Sequence, residues 1–155
     1  MLRRVLLSLF ATSVAMAAPT SASWHVATAN DDGHKLLIRY LADLPPWLQR
    51  QEFPKLVAIT WSLSTPSGMP TREESARTYE FEDILSKAVQ DQQVGLLTVV
   101  VTGNGIVEWQ YYAKDHAQFM TLLNRALKDK PRYPIKIALE ADPGWSAYSR
   151  FAAAK

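Results

Sequence analysis

The sequence of 155 residues contains no cysteine. This absence excludes disulfide bonds, thiol nucleophiles, thiolate metal sites and thiol redox chemistry. The fold must therefore be held together by packing alone. A hydrophobic content of 48% supplies enough apolar side chains for such a core.

Long hydrophobic runs are also scarce, and the main one lies at the amino terminus. Arg3 and Arg4 precede an apolar run at residues 5–14, and small residues follow at 15–23. The run is too short for a membrane-spanning helix, which needs roughly 20 apolar residues. A short positive start, an apolar core and small residues are together typical of a secretory signal peptide.

We therefore predict a signal peptide at residues 1–22 and a single mature domain at residues 23–155. Cleavage after Ala17 is an alternative to cleavage after Ala22, because small residues precede both positions. The mature chain would have about 130 residues, which suits one domain with its own core. We expect it in the bacterial periplasm or secreted.

Runs of basic residues are absent. The chain has 17 basic and 15 acidic residues, and removal of Arg3 and Arg4 leaves 15 of each. A nearly neutral mature chain without a basic stripe is not expected to bind nucleic acid or an anionic membrane.

Alternating apolar residues and turn signals divide the rest of the chain into strands and helices. Asp-Gly at 32–33 favours a tight turn between two strands, and Thr71 with Glu74 forms a capping box at the start of a helix. Asp115 can cap a second helix, and Asp142-Pro143 can start a short terminal one. The strands are predicted at 24–29, 36–41, 55–63, 94–102, 106–112 and 135–140.

The order of these elements predicts an α+β fold. Its last six long elements follow the β-α-β-β-α-β order of a ferredoxin-like unit. We therefore expect a ferredoxin-like βαββαβ core preceded by an N-terminal β-hairpin. Both long helices should pack on one face of a mainly antiparallel sheet.

Several segments together resemble DUF695, a bacterial family of unknown function. The resemblance implies a small α+β domain and supplies no catalytic residue. The segments that carry it are the Trp24 strand, Pro54 with the apolar strand 56–61, Thr78-Tyr79-Glu80-Phe81-Glu82-Asp83, the aromatic hairpin 103–112 and Asp142-Pro143-Gly144-Trp145-Ser146-Ala147-Tyr148.

Histidines offer the one candidate metal site. His25 and His34 flank the first turn and could face each other, with Asp31 or Asp32 as a further ligand. The alternative is that two exposed histidines lie on one hairpin without binding a metal. Because so few ligands converge, we expect neither a metal nor a cofactor.

Acidic residues are concentrated on the first predicted helix. Paired carboxylates carry out acid and base catalysis in glycosidases. Here their spacing places them on the side opposite Phe81, which indicates a solvated face. No G-x-S-x-G nucleophile motif is present either, so we predict no catalytic residue. The carboxylates are Glu73, Glu74, Glu80, Glu82 and Asp83.

Large aromatic residues are numerous for a small domain, and two interpretations of them stay open. In the first they form the core, with Asp142, Trp145 and Tyr148 as a structural clamp for the terminal helix. In the second some of them line an exposed binding patch, since tryptophan and tyrosine are enriched at interfaces. The predicted binding residues are Trp47, Glu108, Gln110 and Tyr112.

These observations favour a non-catalytic module that binds a periplasmic protein or peptide through an open sheet face or an edge strand. A domain that binds a small molecule or glycan through the aromatic patch is the alternative, and a hydrolase is the third. An unprotected edge strand would also allow a homodimer.

Overall fold

The computed structural model describes residues 22–153. The predicted signal peptide therefore lies outside the described residues, apart from Ala22. No helix within the described part is long and apolar enough to cross a membrane.

Within the described residues, six strands and three helices form the α+β fold that the sequence predicts. The proline-containing segment 42–54 has a single 3-10 turn, Arg50–Glu52. The elements are β1 (Trp24–Asp31), β2 (His34–Leu41), β3 (Lys55–Ser62), α1 (Arg72–Asp91), β4 (Gly95–Gly103), β5 (Ile106–Ala113), α2 (His116–Leu127), β6 (Ile135–Ala141) and α3 (Ser146–Ala152).

All six strands belong to one sheet, in the order β1-β2-β4-β5-β3-β6. Every neighbouring pair is antiparallel. The apolar, β-branched β4 lies inside the sheet, where both of its faces can be covered. The edges are β1 and β6.

The turn between β1 and β2 depends on its two central residues. Asp32 has φ 45° and Gly33 has φ 83°, and two positive φ values define the type I′ turn that suits antiparallel strands. The Asn30 Oδ1 atom accepts a hydrogen bond from the Gly33 N–H at 2.9 Å. All eight residues of β1 pair with β2 without a bulge.

Helix α1 begins with the predicted capping box. The Thr71 hydroxyl accepts from the Glu74 N–H at 3.1 Å, and the Glu74 carboxylate accepts from the Thr71 N–H at 3.1 Å. The same carboxylate accepts from the Ser64 N–H and hydroxyl, both at 2.8 Å. These hydrogen bonds, the Ser64 N–H foremost, lower the pKa of Glu74. The cap therefore also fastens the irregular segment 64–70 to the helix.

The two long helices, α1 and α2, cover the same face of the sheet, here called the helix face. Phe81 and Leu85 of α1 and Phe119 of α2 are fully buried there. The Phe81 ring lies 4.9 Å from the Trp109 ring and 6.0 Å from the Trp61 ring, between centroids. The sheet residues of this core are Val57, Ile59, Trp61, Leu97, Val100, Val107, Trp109, Tyr111 and Ala113.

The opposite face, here called the far face, has a second core at one end of the sheet only. Trp145, which directly precedes α3, and Tyr148 of α3 pack there beside Phe53 and Leu48 of the loop before β3. The sheet residues beneath them are Ile38, Leu41, Leu56, Leu96, Val99 and Tyr112. Thus α3 lies on the side of the sheet opposite to α1 and α2.

Candidate functional site

Tyr112, one of the predicted binding residues, lies in the core of the far face. Its side chain is fully buried, and its ring stacks on the Trp145 ring at 3.9 Å with an interplanar angle of 7°. Its hydroxyl donates to Asp142 Oδ2 at 2.6 Å and accepts from the Tyr148 N–H at 3.2 Å. The prediction that Tyr112 lies on an exposed patch is therefore wrong, because α3 folds back over this end of β5.

The other three predicted binding residues do not form one cluster with Tyr112. Trp47 is half-buried, with its ring edge-on to Phe53 at 5.9 Å. Glu108 and Gln110 are half-buried neighbours on β5, and the Gln110 amide donates to Glu108 Oε1 at 2.8 Å. The structure thus brings Glu108 and Gln110 together, and a binding role for these three residues stays a prediction.

The residues predicted as a structural clamp tie α3 to the rest of the fold. The Trp145 indole N–H donates to the Phe53 carbonyl at 3.0 Å and to the Arg50 carbonyl at 3.2 Å. The Tyr148 hydroxyl donates to the Leu41 carbonyl at 2.8 Å. These contacts join α3 to the end of β2 and to the 3-10 turn, as a clamp requires.

Asp142 organises the start of α3 through hydrogen bonds. Its Oδ1 accepts from the Ser146 N–H at 2.9 Å and hydroxyl at 2.7 Å, and its Oδ2 accepts from the Ala147 N–H at 3.0 Å and from Tyr112. Partial burial acts to raise the pKa of Asp142, but these hydrogen bonds outweigh it and lower the pKa to about 2. The carboxylate therefore stays ionised at neutral pH and caps the helix that begins at Ser146.

A partly buried ion pair on the helix face is the main polar feature that the sequence did not reveal. Arg39 Nη2 donates to Glu82 Oε2 at 2.7 Å, and the Trp109 indole N–H donates to the same oxygen at 2.8 Å. The two charged side chains are 25% and 13% exposed. Charged groups withdrawn this far from water need such partners. The prediction that Glu82 lies on a solvated helix face is therefore wrong.

The ion pair lies in a cleft of about 250 Å³ between α1 and the strands β2, β4 and β5. The Arg39 guanidinium lies 5.5 Å from the Trp24 ring and 5.9 Å from the Tyr79 ring, and Tyr79 is 57% exposed at the rim. Within residues 22–153, Glu82 Oε1 makes no hydrogen bond. The cleft thus offers a donor and an acceptor side by side. Its apolar floor includes Leu37, Val100 and Val107.

The edge strand β1 is the most open element of the described fold. Seven of its eight residues are exposed, and Val26 is 64% exposed. Proteins usually protect edge strands with lysine, proline, a bulge or a covering element. β1 has no lysine, proline or bulge, and its one carboxylate, Asp31, lies at its end beside the turn. The other edge, β6, carries Lys136 and Glu140 within the strand.

The backbone of β1 presents alternate residues to the open edge. In a two-residue turn, the flanking Asp31 and His34 form a hydrogen-bonded pair, and such pairs alternate along antiparallel strands. The Ala42 N–H bonds to the Ser23 carbonyl at 2.9 Å, which fits the same alternation at the other end. Odd-numbered residues of β1 therefore bond to β2. The N–H and C=O groups that point outward belong to Trp24, Val26, Thr28 and Asn30.

The histidines do not form the predicted pair across the first turn. His34 is opposite Asp31, whereas His25 is opposite Tyr40 at the other end of the strand. The centroids of the His25 and Tyr40 rings are 5.3 Å apart. The prediction that His25 and His34 face each other is wrong, because the turn at residues 32–33 fixes the register. Within residues 22–153, no group of three or more metal-ligating side chains converges.

Comparison with models of protein families shows what the chain is similar to. A family model described as a family of unknown function (DUF695) matches residues 22–152. The match spans all six strands and all three helices, and it confirms the resemblance found in the sequence. No curated protein matches the chain.

Proposed function

The chain belongs to the DUF695 family, whose function is unknown, and we propose that it is a non-catalytic module that binds an extended protein segment along β1. The observation that carries this proposal is the long edge strand without a lysine, a proline or a bulge. An open edge of this kind pairs readily with another strand.

The binding mode that this edge supports is strand addition. A bound segment would hydrogen-bond to the outward groups of Trp24, Val26, Thr28 and Asn30, which gives affinity without requiring one sequence. The side chains beside it would include Val26 on the helix face and Ala27 on the far face. A segment with small or apolar residues at the opposite positions would cover Val26.

We propose further that the protein acts outside the cytosol. The support is the leader-like pattern of residues 1–22, with Arg3 and Arg4 before an apolar run. The partner would then be a periplasmic protein or peptide.

For the fold, we propose that β3 to β6, with α1 and α2, form a ferredoxin-like unit. The order β4-β5-β3-β6 supports this, because each long helix connects two strands that have one other strand between them.

Panning a displayed library of random octapeptides tests the binding mode. Enriched peptides should bind the wild-type protein and lose at least tenfold in affinity to Val26→Pro, which lacks one outward N–H. Proline is tolerated at such a position because that N–H makes no bond within the sheet. Val26→Ala keeps the N–H and is the matched control. Equal binding to both variants would contradict the proposal.

The Arg39–Glu82 cleft supports a second candidate, a site for a small neutral ligand. A hydroxyl or amide group could accept from Arg39 and donate to Glu82 Oε1. Titration with neutral monosaccharides, followed by amide chemical shifts, tests it. Binding should shift signals around Tyr79 and be lost in Tyr79→Ala, whereas shifts elsewhere or none would exclude the cleft for this class.

A further inference from the structure

We infer that the strand added to β1 is β1 of a second copy, paired antiparallel about a twofold axis at Ala27. This inference rests on the proposed use of β1 as a binding edge and names its occupant. The result would be one continuous sheet through two molecules, with both helix faces on the same side.

The alternation of the backbone determines where the axis must lie. A twofold axis perpendicular to the sheet places residues of the same face opposite each other, so even-numbered residues pair with even-numbered ones. With the axis at Ala27, Trp24 pairs with Asn30 of the second copy, and Val26 pairs with Thr28 of the second copy. All four residues whose backbone groups point outward then form hydrogen bonds to the other copy. An axis at Val26 or Thr28 would use only three.

The side chains of β1 are compatible with this register. At the axis the two Ala27 residues form a non-hydrogen-bonded pair with Cα atoms about 4.5 Å apart. Their small side chains allow it. His25 lies opposite Ala29 of the second copy, so no like charges oppose each other. Val26, 64% exposed in one copy, gains a neighbour in Thr28 of the other.

The other edge of the sheet is less suited to the same pairing. β6 is shorter, at seven residues, and carries Lys136 and Glu140. Charged side chains on an edge strand discourage pairing with another chain. The difference between the two edges favours a closed dimer through β1 over an open series of sheets.

A single introduced cysteine tests the axis, because the chain has no thiol of its own. Ala27→Cys places two thiols at the axis, within the Cα separation that a disulfide needs, roughly 4.4–6.8 Å. Ala29→Cys is the matched control, because Ala29 is also exposed and lies on the same face. In the dimer the two cysteines at position 29 would be offset by four residues, about 13 Å along the strands.

With the protein purified after expression of the full chain, mild oxidation should convert most of Ala27→Cys to a covalent dimer. Ala29→Cys should remain largely monomeric on a non-reducing gel, with at least tenfold slower cross-linking. Equal rates for the two variants, or faster cross-linking at position 29, would overturn the register and the inference with it.

Charge exchange provides a second test without oxidation. Ala27→Lys and Ala27→Glu each place like charges at the axis, so each variant alone should be monomeric in sedimentation analysis. An equimolar mixture should recover the dimer of the wild-type protein. A monomeric wild-type protein, or a mixture that stays monomeric, would overturn the inference.

The failures of the two proposals are distinguishable. If the wild-type protein is monomeric but Val26→Pro still abolishes peptide binding, the edge serves another protein and only the second-copy inference fails. If Val26→Pro changes neither self-association nor peptide binding, the proposed use of β1 fails as well.

Discussion

At the scale of single residues, polar side chains determine how the elements of this fold are fixed to one another. Asp142 receives hydrogen bonds from α3 and from Tyr112 of β5. Glu82 joins α1 to β2 and β5 through Arg39 and Trp109. Each carboxylate connects segments that are distant in sequence. Removing it should therefore lower the free energy of unfolding of the whole domain.

Asp142→Asn should therefore destabilise the protein in a pH-dependent manner. Because the folded-state pKa of Asp142 is lowered to about 2, its contribution is present above about pH 4 and is lost as the pH falls towards 2. Allowing for its exposure to solvent, we expect a loss of about 1 kcal/mol at pH 7. Urea unfolding of both proteins at pH 7, 4 and 2.5 measures the difference in the free energy of unfolding.

The difference between wild type and Asp142→Asn should shrink steadily below pH 4. Tyr112→Phe, which removes one of the hydrogen bonds and keeps the carboxylate, is the comparison and should cost less at pH 7. A difference that stays constant from pH 7 to pH 2.5 would show that the ionised carboxylate is not the cause.

Arg39→Met should cost about 2 kcal/mol, because it leaves the largely buried Glu82 carboxylate without its cation. Adding Glu82→Gln removes the unpaired charge and keeps an acceptor for the Trp109 N–H. The loss in the free energy of unfolding of the double variant should thus be about 1 kcal/mol smaller than the sum of the losses of the two single variants.

A double-mutant cycle in urea measures this coupling. Lys87→Met, which breaks the exposed pair with Asp91, is the control and should leave the free energy of unfolding nearly unchanged. Strictly additive losses for Arg39 and Glu82 would mean that their hydrogen bond contributes nothing to stability.

At the scale of elements, the sequence predicted those features that depend only on residues close together in the chain. The capping box at Thr71 and the Asp-Gly turn act over three or four residues, so they were readable from the sequence. The burial of Tyr112 and Glu82 was not, because it depends on where α3 folds back and on how α1 sits above β2. Arg39 and Glu82 are 43 residues apart, and no periodicity relates them.

The capping box gives a prediction for α1. Thr71→Ala removes the acceptor for the Glu74 N–H and should lower the free energy of unfolding by about 1 kcal/mol. Thr71→Ser keeps a hydroxyl at the same position and should be close to wild type. Urea unfolding compares the three proteins, and equal losses for the alanine and serine variants would contradict a capping role.

At the scale of the whole molecule, coverage of the sheet is unequal. The helix face is covered over β3, β4 and β5, and the far face only at the end beneath α3. In β1 only Trp24 packs against the cores, and the other seven residues are exposed. Packing thus concentrates stability in the central strands and leaves one edge open. The same unevenness that leaves β1 exposed makes its outer edge available for pairing.

The two cores should nevertheless unfold together, because strands β3, β4 and β5 contribute to both. Phe81→Leu alters the helix face and Phe53→Leu alters the far face, each at a cost of about 1 kcal/mol. Since the two rings belong to separate cores on opposite faces of the sheet, the double variant should lose about 2 kcal/mol. Urea unfolding followed by tryptophan fluorescence and by far-ultraviolet circular dichroism should give one coincident transition for all four proteins. If Phe53→Leu instead produced an early transition seen only by fluorescence, the far-face core would open alone, and α3 would be a separately unfolding cover rather than part of one cooperative domain.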